Sequence, residues 1–144
     1  MPHQLLTELP SDQATITLRQ LIIPSSFVAK IFPITLEFSQ GTVTLAEFRL
    51  GRGGWVIQAK ASAKSVGGTQ PFNVHWRLSA DSGQEDTAEI NTVLIPTIVF
   101  MLGVQVSTTA VVDLTARNSA PGSALISNIV ITGIKQDEVI TLAM

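Results

Sequence analysis

Acid–base, metal or nucleophilic chemistry in this chain would have to come from two histidines, His3 and His75, and eleven carboxylates, because there is no cysteine. That absence excludes disulfides, thiolate metal ligands and thiol nucleophiles together. Neither histidine has a second histidine or a carboxylate at ligand spacing, so a zinc site built from side chains alone is not expected. His75, Asp81 or Asp113 and any serine make a Ser-His-Asp set on paper, but no nucleophile elbow accompanies them. Gly51-Arg52-Gly53-Gly54 lacks the spacing and the following Lys-Ser/Thr of a phosphate loop, and reads as a hairpin turn. The expectation is a protein that is not an enzyme, with no cofactor and no metal.

The elements that would position any site are mostly strands. Residues 1–13 read as a loose polar lead-in, and residues 14–144 as one β-rich domain. Ala14–Ile23 alternates like a strand and is stopped by Pro24, which cannot donate to a ladder. Ser25 or Ser26 then suits the cap of a short helix, Phe27–Phe32, ended by Pro33. Ile34, Leu36 and Phe38 alternate with polar residues, and a turn at Gln40-Gly41 leads to Val43 and Leu45. The apolar parity slips before Phe48 and Leu50, which predicts a β-bulge near Ala46-Glu47. After the glycine turn, Trp55, Ile57, Ala59, Ala61 and Ala63 form one face, with Gln58, Lys60, Ser62 and Lys64 opposite. Phe72, Val74, Trp76 and Leu78 repeat the pattern beyond Gly67-Gly68. Short turns between such runs predict an antiparallel meander.

The middle of the chain breaks the alternation. Glu85, Asp86 and Glu89 precede a twelve-residue apolar run, Val93–Val104, interrupted by Pro96. Acids at the positive end of a helix dipole favour a buried helix over residues 85–102, kinked at Pro96. The alternative is two buried strands broken at Pro96, since Thr, Val and Ile are dense there. Val104 to Arg117 returns to β with its apolar residues at even positions, and Leu125–Ile134 and Val139–Met144 finish the sheet. The predicted fold is therefore mostly β (α+β): a curved antiparallel sheet or meander wrapping one longer kinked helix, plus one short helix.

Composition narrows the function classes. Only 14% of the 144 residues are charged while 45% are hydrophobic, which implies apolar surface buried against a ligand, a membrane or other copies of the chain. A net charge of −2 argues against a dedicated nucleic-acid binder. The Val93–Val104 run is too short for a bilayer, which takes about 20 residues, and Met1–Ser11 lacks a secretory pattern. The expected location is cytoplasmic. No acid occurs between Phe48 and Ala80, where Arg49, Arg52, Lys60, Lys64 and Arg77 all fall. Lys60, Lys64 and Arg77 would form a basic outer face, suited to peripheral contact with an anionic membrane or an acidic partner.

Ser26–Phe32, followed by Ile34–Leu45 and Trp55–Lys64, resembles the bacterial relatives of the tubular lipid-binding proteins, over residues 14–80. That resemblance implies a strongly curved sheet around a long helix, with acyl chains held between them. Two functions follow from the residues. The first is a binding module enclosing a lipid, a fatty acid or another apolar small molecule in a pocket lined by Trp55, Ile57, Trp76, Leu94, Ile98 and Met101. The second is a structural or assembly subunit that forms homo-oligomers through apolar β surfaces. The strands around Leu125–Ile131, apolar at both parities, are the expected contact.

Overall fold

The computed structural model describes residues 3–5, 22–67, 71–81, 83, 85–90 and 97–136. Among them nine strands follow in order: β1 (His3–Leu5), β2 (Ile22–Ile23), β3 (Ser26–Ile31), β4 (Ile34–Leu36), β5 (Thr42–Ser65), β6 (Val74–Ala80), β7 (Glu85–Ile90), β8 (Thr97–Asn118) and β9 (Ala124–Gln136). One 3-10 turn, Phe38–Gln40, separates β4 from β5. All nine strands join one sheet in the order β1-β3-β9-β5-β8-β6-β7, with β2 added to β5 and β4 to β9. The long strands pair antiparallel, and only the short β1–β3 and β2–β5 pairings are parallel.

The frame is the ribbon made by β5, of 24 residues, and β8, of 22, paired from Thr42↔Arg117 to Ser62↔Thr97. Strands so far beyond the usual 5–6 residues must bend to stay on one core, and two bulges bend these. One lies between Thr44 and Ala46, where Leu45 is the extra residue and the buried positions change parity. This is the slip that the alternation predicts near Ala46-Glu47. The other lies between Gly51 and Gly53, where φ of +141° at Gly53 requires a residue without Cβ. The glycines therefore bend one continuous strand, and the hairpin turn expected there does not form. Beyond the bend Phe48 reaches Phe27 of β3, ring centroids 5.3 Å apart and edge to face. Gly133 of β9 makes room for Phe27, since a Cβ there would collide with its ring. Ile23, Leu45, Leu50, Trp55, Ile57 and Ile131 are each wholly buried in the same core.

The described residues contain no α-helix, and both predicted helices are corrected. Phe27–Phe32 falls largely in β3, where Phe27, Ala29 and Ile31 are buried at the period of two of a strand. Pairing with β9 from Phe27↔Gly133 to Ile31↔Ile129 overrides the local cap and proline signals. The long kinked helix over 85–102 is also absent: Glu85–Ile90 is β7 and Thr97 opens β8, while 91–96 lie outside the described residues. β-branched residues favour the extended form in β8, and Glu85 pairs with Arg77 on the neighbouring strand instead of capping a helix dipole. The meander is replaced by distant pairings, because β5 hydrogen-bonds to β8 and β9 and β6 to β7 and β8. His3–Leu5, within the expected loose lead-in, forms β1, and 14–21 and 137–144 lie outside the described residues.

Candidate functional site

The residues expected to line an apolar pocket do not come together around a cavity. Trp55, Ile57 and Trp76 are core residues. Ile98 is half-buried against that core, Leu94 lies outside the described residues, and Met101 points outward at 59% exposure. Among the described residues no helix lies on the sheet, and the inward stripes pack into one core. Lys60 and Lys64 lie on the outward side of β5, as expected, and both are exposed. Arg77 does not join them: its β8 neighbour is Thr115, while that of Lys60 is Val99, far along the same strand.

The outward side of the ribbon divides into two regions. Around the C-terminal half of β5, register places Val99, Lys60, Val130 and Lys30 in one row across β8, β5, β9 and β3. Met101, Gln58, Thr132 and Val28 make the next row, and Gly103, Val56 and Ile134 the one after. Val99 is 54% exposed and Ile134 41%, so with Met101 three large apolar side chains face solvent on β8 and β9, the strands either side of β5. The β8 edge beside them is also open. β6 pairs with β8 only from Val112 onward, and among the described residues no strand pairs with the outer edge of β8 from Thr97 to Val111. There the Met101 amide donates to the Asp86 carboxylate at 3.1 Å.

β9 offers no free edge for the contact expected of it. It is hydrogen-bonded on one side to β5 and on the other to β3 and β4, so it has no edge to offer along Ala124–Gly133. Its apolar residues at both parities have a local cause. A bulge opposite Ala61 puts an extra residue in β9 at Asn128, with φ of +54°, and the buried positions move from Ile126 to Ile129 and Ile131.

The second region lies over the other end of the ribbon. Register aligns His75 with Arg117 and Arg117 with Thr42, and Arg77 with both Thr87 and Thr115. These residues and the edge of Trp76 line an open groove of about 480 Å³. Asn118, one step beyond Arg117 and wholly inside, holds its rim. Its amide nitrogen donates to the carbonyls of Leu36 at 3.1 Å and Gly122 at 2.6 Å. Its oxygen accepts from the amides of Asn73 at 3.1 Å and Ala120 at 3.2 Å. One side chain thus ties β4, the approach to β6 and the β8–β9 connection together. Sequence reading missed it, since only a buried asparagine reveals such a role.

Next to this knot His75 Nε2 and Ser119 Oγ share a hydrogen bond of 2.8 Å. The Asp113 carboxylate is engaged elsewhere: it accepts from Ser79 Oγ at 2.7 Å, two rows away from His75. Asp81 follows the end of β6, where its amide donates to Val111. The Ser-His-Asp set is not assembled among the described residues. They hold no group of three or more acidic or histidine side chains able to bind a metal, and no helix long and apolar enough to cross a membrane. No known protein family and no curated protein matches the sequence.

Proposed function

We propose that the chain is a structural subunit that assembles with copies of itself through the outward apolar face and open edge of β8. The observation that carries this reading is the pair Val99 and Met101, each more than half exposed beside a strand edge with which no described strand pairs. An exposed edge flanked by apolar side chains is a template for pairing with another chain, and apolar patches of this kind mark interaction surfaces. A second copy adding its own β8 edge would satisfy the backbone groups and cover Val99 and Met101 in the same contact. Such a pairing, edge to like edge, gives a two-fold dimer.

Sedimentation velocity and native mass spectrometry across the micromolar range test the proposal. The expected result is a dimer or larger assembly for the native chain. Met101→Glu and Val99→Glu should give monomers with unchanged far-UV circular dichroism, because both positions face solvent in the single chain. A native chain that stays monomeric throughout would overturn the reading. So would charge variants that assemble as well as the native chain. A bound lipid mass on a monomer would favour the apolar-ligand function instead.

A further inference from the structure

From the groove at the other end of the ribbon we infer a second site, which binds a phosphate or sulfate group through Arg117 and Arg77. Its residues are separate from the assembly face, so its failure and the failure of that reading are distinguishable. Arg117 is exposed, and among the described residues it has no ion-pair or hydrogen-bond partner. It stands directly across from His75 and diagonally from Arg77 on the adjacent strand. Two guanidinium groups so placed repel one another unless an anion lies between them. Arg77 gives Nε and one terminal nitrogen to a single Glu85 oxygen, both at 2.8 Å. Its second terminal nitrogen is therefore available to another acceptor.

A guanidinium presents parallel N–H donors that match a tetrahedral oxyanion, and two of them on adjacent strands can hold one from two sides. The threonines at 42, 87 and 115 surround these cations with hydroxyls that donate or accept. No carboxylate lines the groove among the described residues. Acid positions near it are Glu85, engaged with Arg77, Asp113, diagonal to Arg77 and engaged with Ser79, and Glu89, which β7 places in register with His75. At about 480 Å³ the space exceeds that of a bare phosphate. A ligand carrying the oxyanion on a small hydroxylated body, of sugar-phosphate size, would use the threonine hydroxyls as well.

The test is titration of the whole chain with inorganic phosphate, sodium sulfate and glucose 6-phosphate at constant ionic strength held with chloride. Binding is read by calorimetry and by tryptophan fluorescence, to which Trp76 at the groove contributes. Saturable binding is expected, weakened at least about tenfold by Arg117→Gln, the loss of a charge-assisted pair. Arg117→Lys should recover part of it, and Lys60→Gln on the opposite region should leave it unchanged. Tighter binding of the sugar phosphate would assign the oxyanion to an organic ligand; equal binding of all three would assign it to the free anion. A response matched by chloride alone would overturn the inference. Equal affinities for the native chain and a folded Arg117→Gln variant would do the same.

Discussion

At one end of the β5–β8 ribbon the outward side chains include Val56, Val99 and Met101 beside Gln58 and Lys60; at the other they include Thr42, Thr115 and Arg117. The inward side chains differ far less, since Trp55, Ile57 and Phe100 serve one end as Phe48, Val112 and Leu114 serve the other. Burial dictates the inner face along the whole ribbon, because each large apolar side chain there is worth roughly 1.5–3 kcal/mol. The outer face is under no such constraint. Where it changes from valine and methionine to threonine and arginine, the change belongs to what each end meets. On the reading proposed above, the apolar end would face a partner chain and the polar end a small charged ligand.

Polar groups inside the two ends differ as well, and the largest predicted effect tests that difference. Asn118→Ala would leave the Leu36 and Gly122 carbonyls and the Asn73 amide without the partner they have now. Each buried group so stranded costs about 1–3 kcal/mol, so a loss of at least about 3 kcal/mol is expected. The groove should be lost with it. At the apolar end the Ser62 hydroxyl, buried, shares one hydrogen bond of 2.9 Å with that of exposed Thr97. Ser62→Ala should cost only about 1 kcal/mol. Urea denaturation of both variants checks the contrast, and equal losses would break it.

Where two β3 and β9 side chains meet, the next effect is steric. Gly133→Ala drives a methyl into the Phe27 ring, which already lies edge to face on Phe48. Overpacking of this kind costs about 1–3 kcal/mol. Gly41 has open space around it, but its φ of +71° disfavours any side chain, so Gly41→Ala is strained by the backbone alone. Only the Gly133 variant should regain stability with Phe27→Leu. Thermal melts of the two single variants and the Phe27→Leu/Gly133→Ala pair decide this.

The two tryptophans extend the comparison at smaller scale. Trp55 Nε1 donates to the Gly51 carbonyl at 3.0 Å, whereas Trp76 Nε1 is buried without a partner among the described residues. Trp55→Phe loses both ring volume and that bond, leaving the Gly51 carbonyl without the indole donor. Trp76→Phe loses ring volume and removes a stranded donor. The Trp55 variant should be the less stable by about 1–2 kcal/mol, measured by the shift of the denaturation midpoint. Equal shifts would show that the indole bond at the bend contributes nothing.

Much of this was legible in the chain because alternation has a direct physical cause. The run from Trp55 to Ala63 shows its buried face in sequence, and the parity slip before Phe48 shows its bulge. Phe38 read as inward, yet it opens a 3-10 turn and is 55% exposed, since a change of backbone geometry ends the alternation. The helices failed for a different reason. Ser26, Pro33, the acids at 85–89 and Pro96 are local signals, and what decided β3 and β8 was pairing with strands far along the chain. The same non-locality hid both candidate sites. His75, Arg77 and Arg117 become neighbours only through the β6–β8 register, and an open edge exists only relative to strands placed elsewhere.

The smallest effect on stability is also the sharpest test of what the outward residues are for. Val99 is exposed at the apolar end, and Thr115 is half-buried at the groove. Val99→Thr and Thr115→Val exchange side chains of nearly one shape, both β-branched and both suited to strands. On the outer side of the sheet each should change stability by no more than about 0.5 kcal/mol. Their effects on interaction should diverge. Val99→Thr places a hydroxyl in the proposed contact between copies, where it lacks a partner, and should weaken association in sedimentation while leaving phosphate titration alone. Thr115→Val removes a hydroxyl beside Arg77 and Arg117 and should weaken phosphate binding while leaving association alone. If either substitution moved both measurements, the two ends would be one coupled surface, and the division of the ribbon into an assembly face and an anion groove would have to be abandoned.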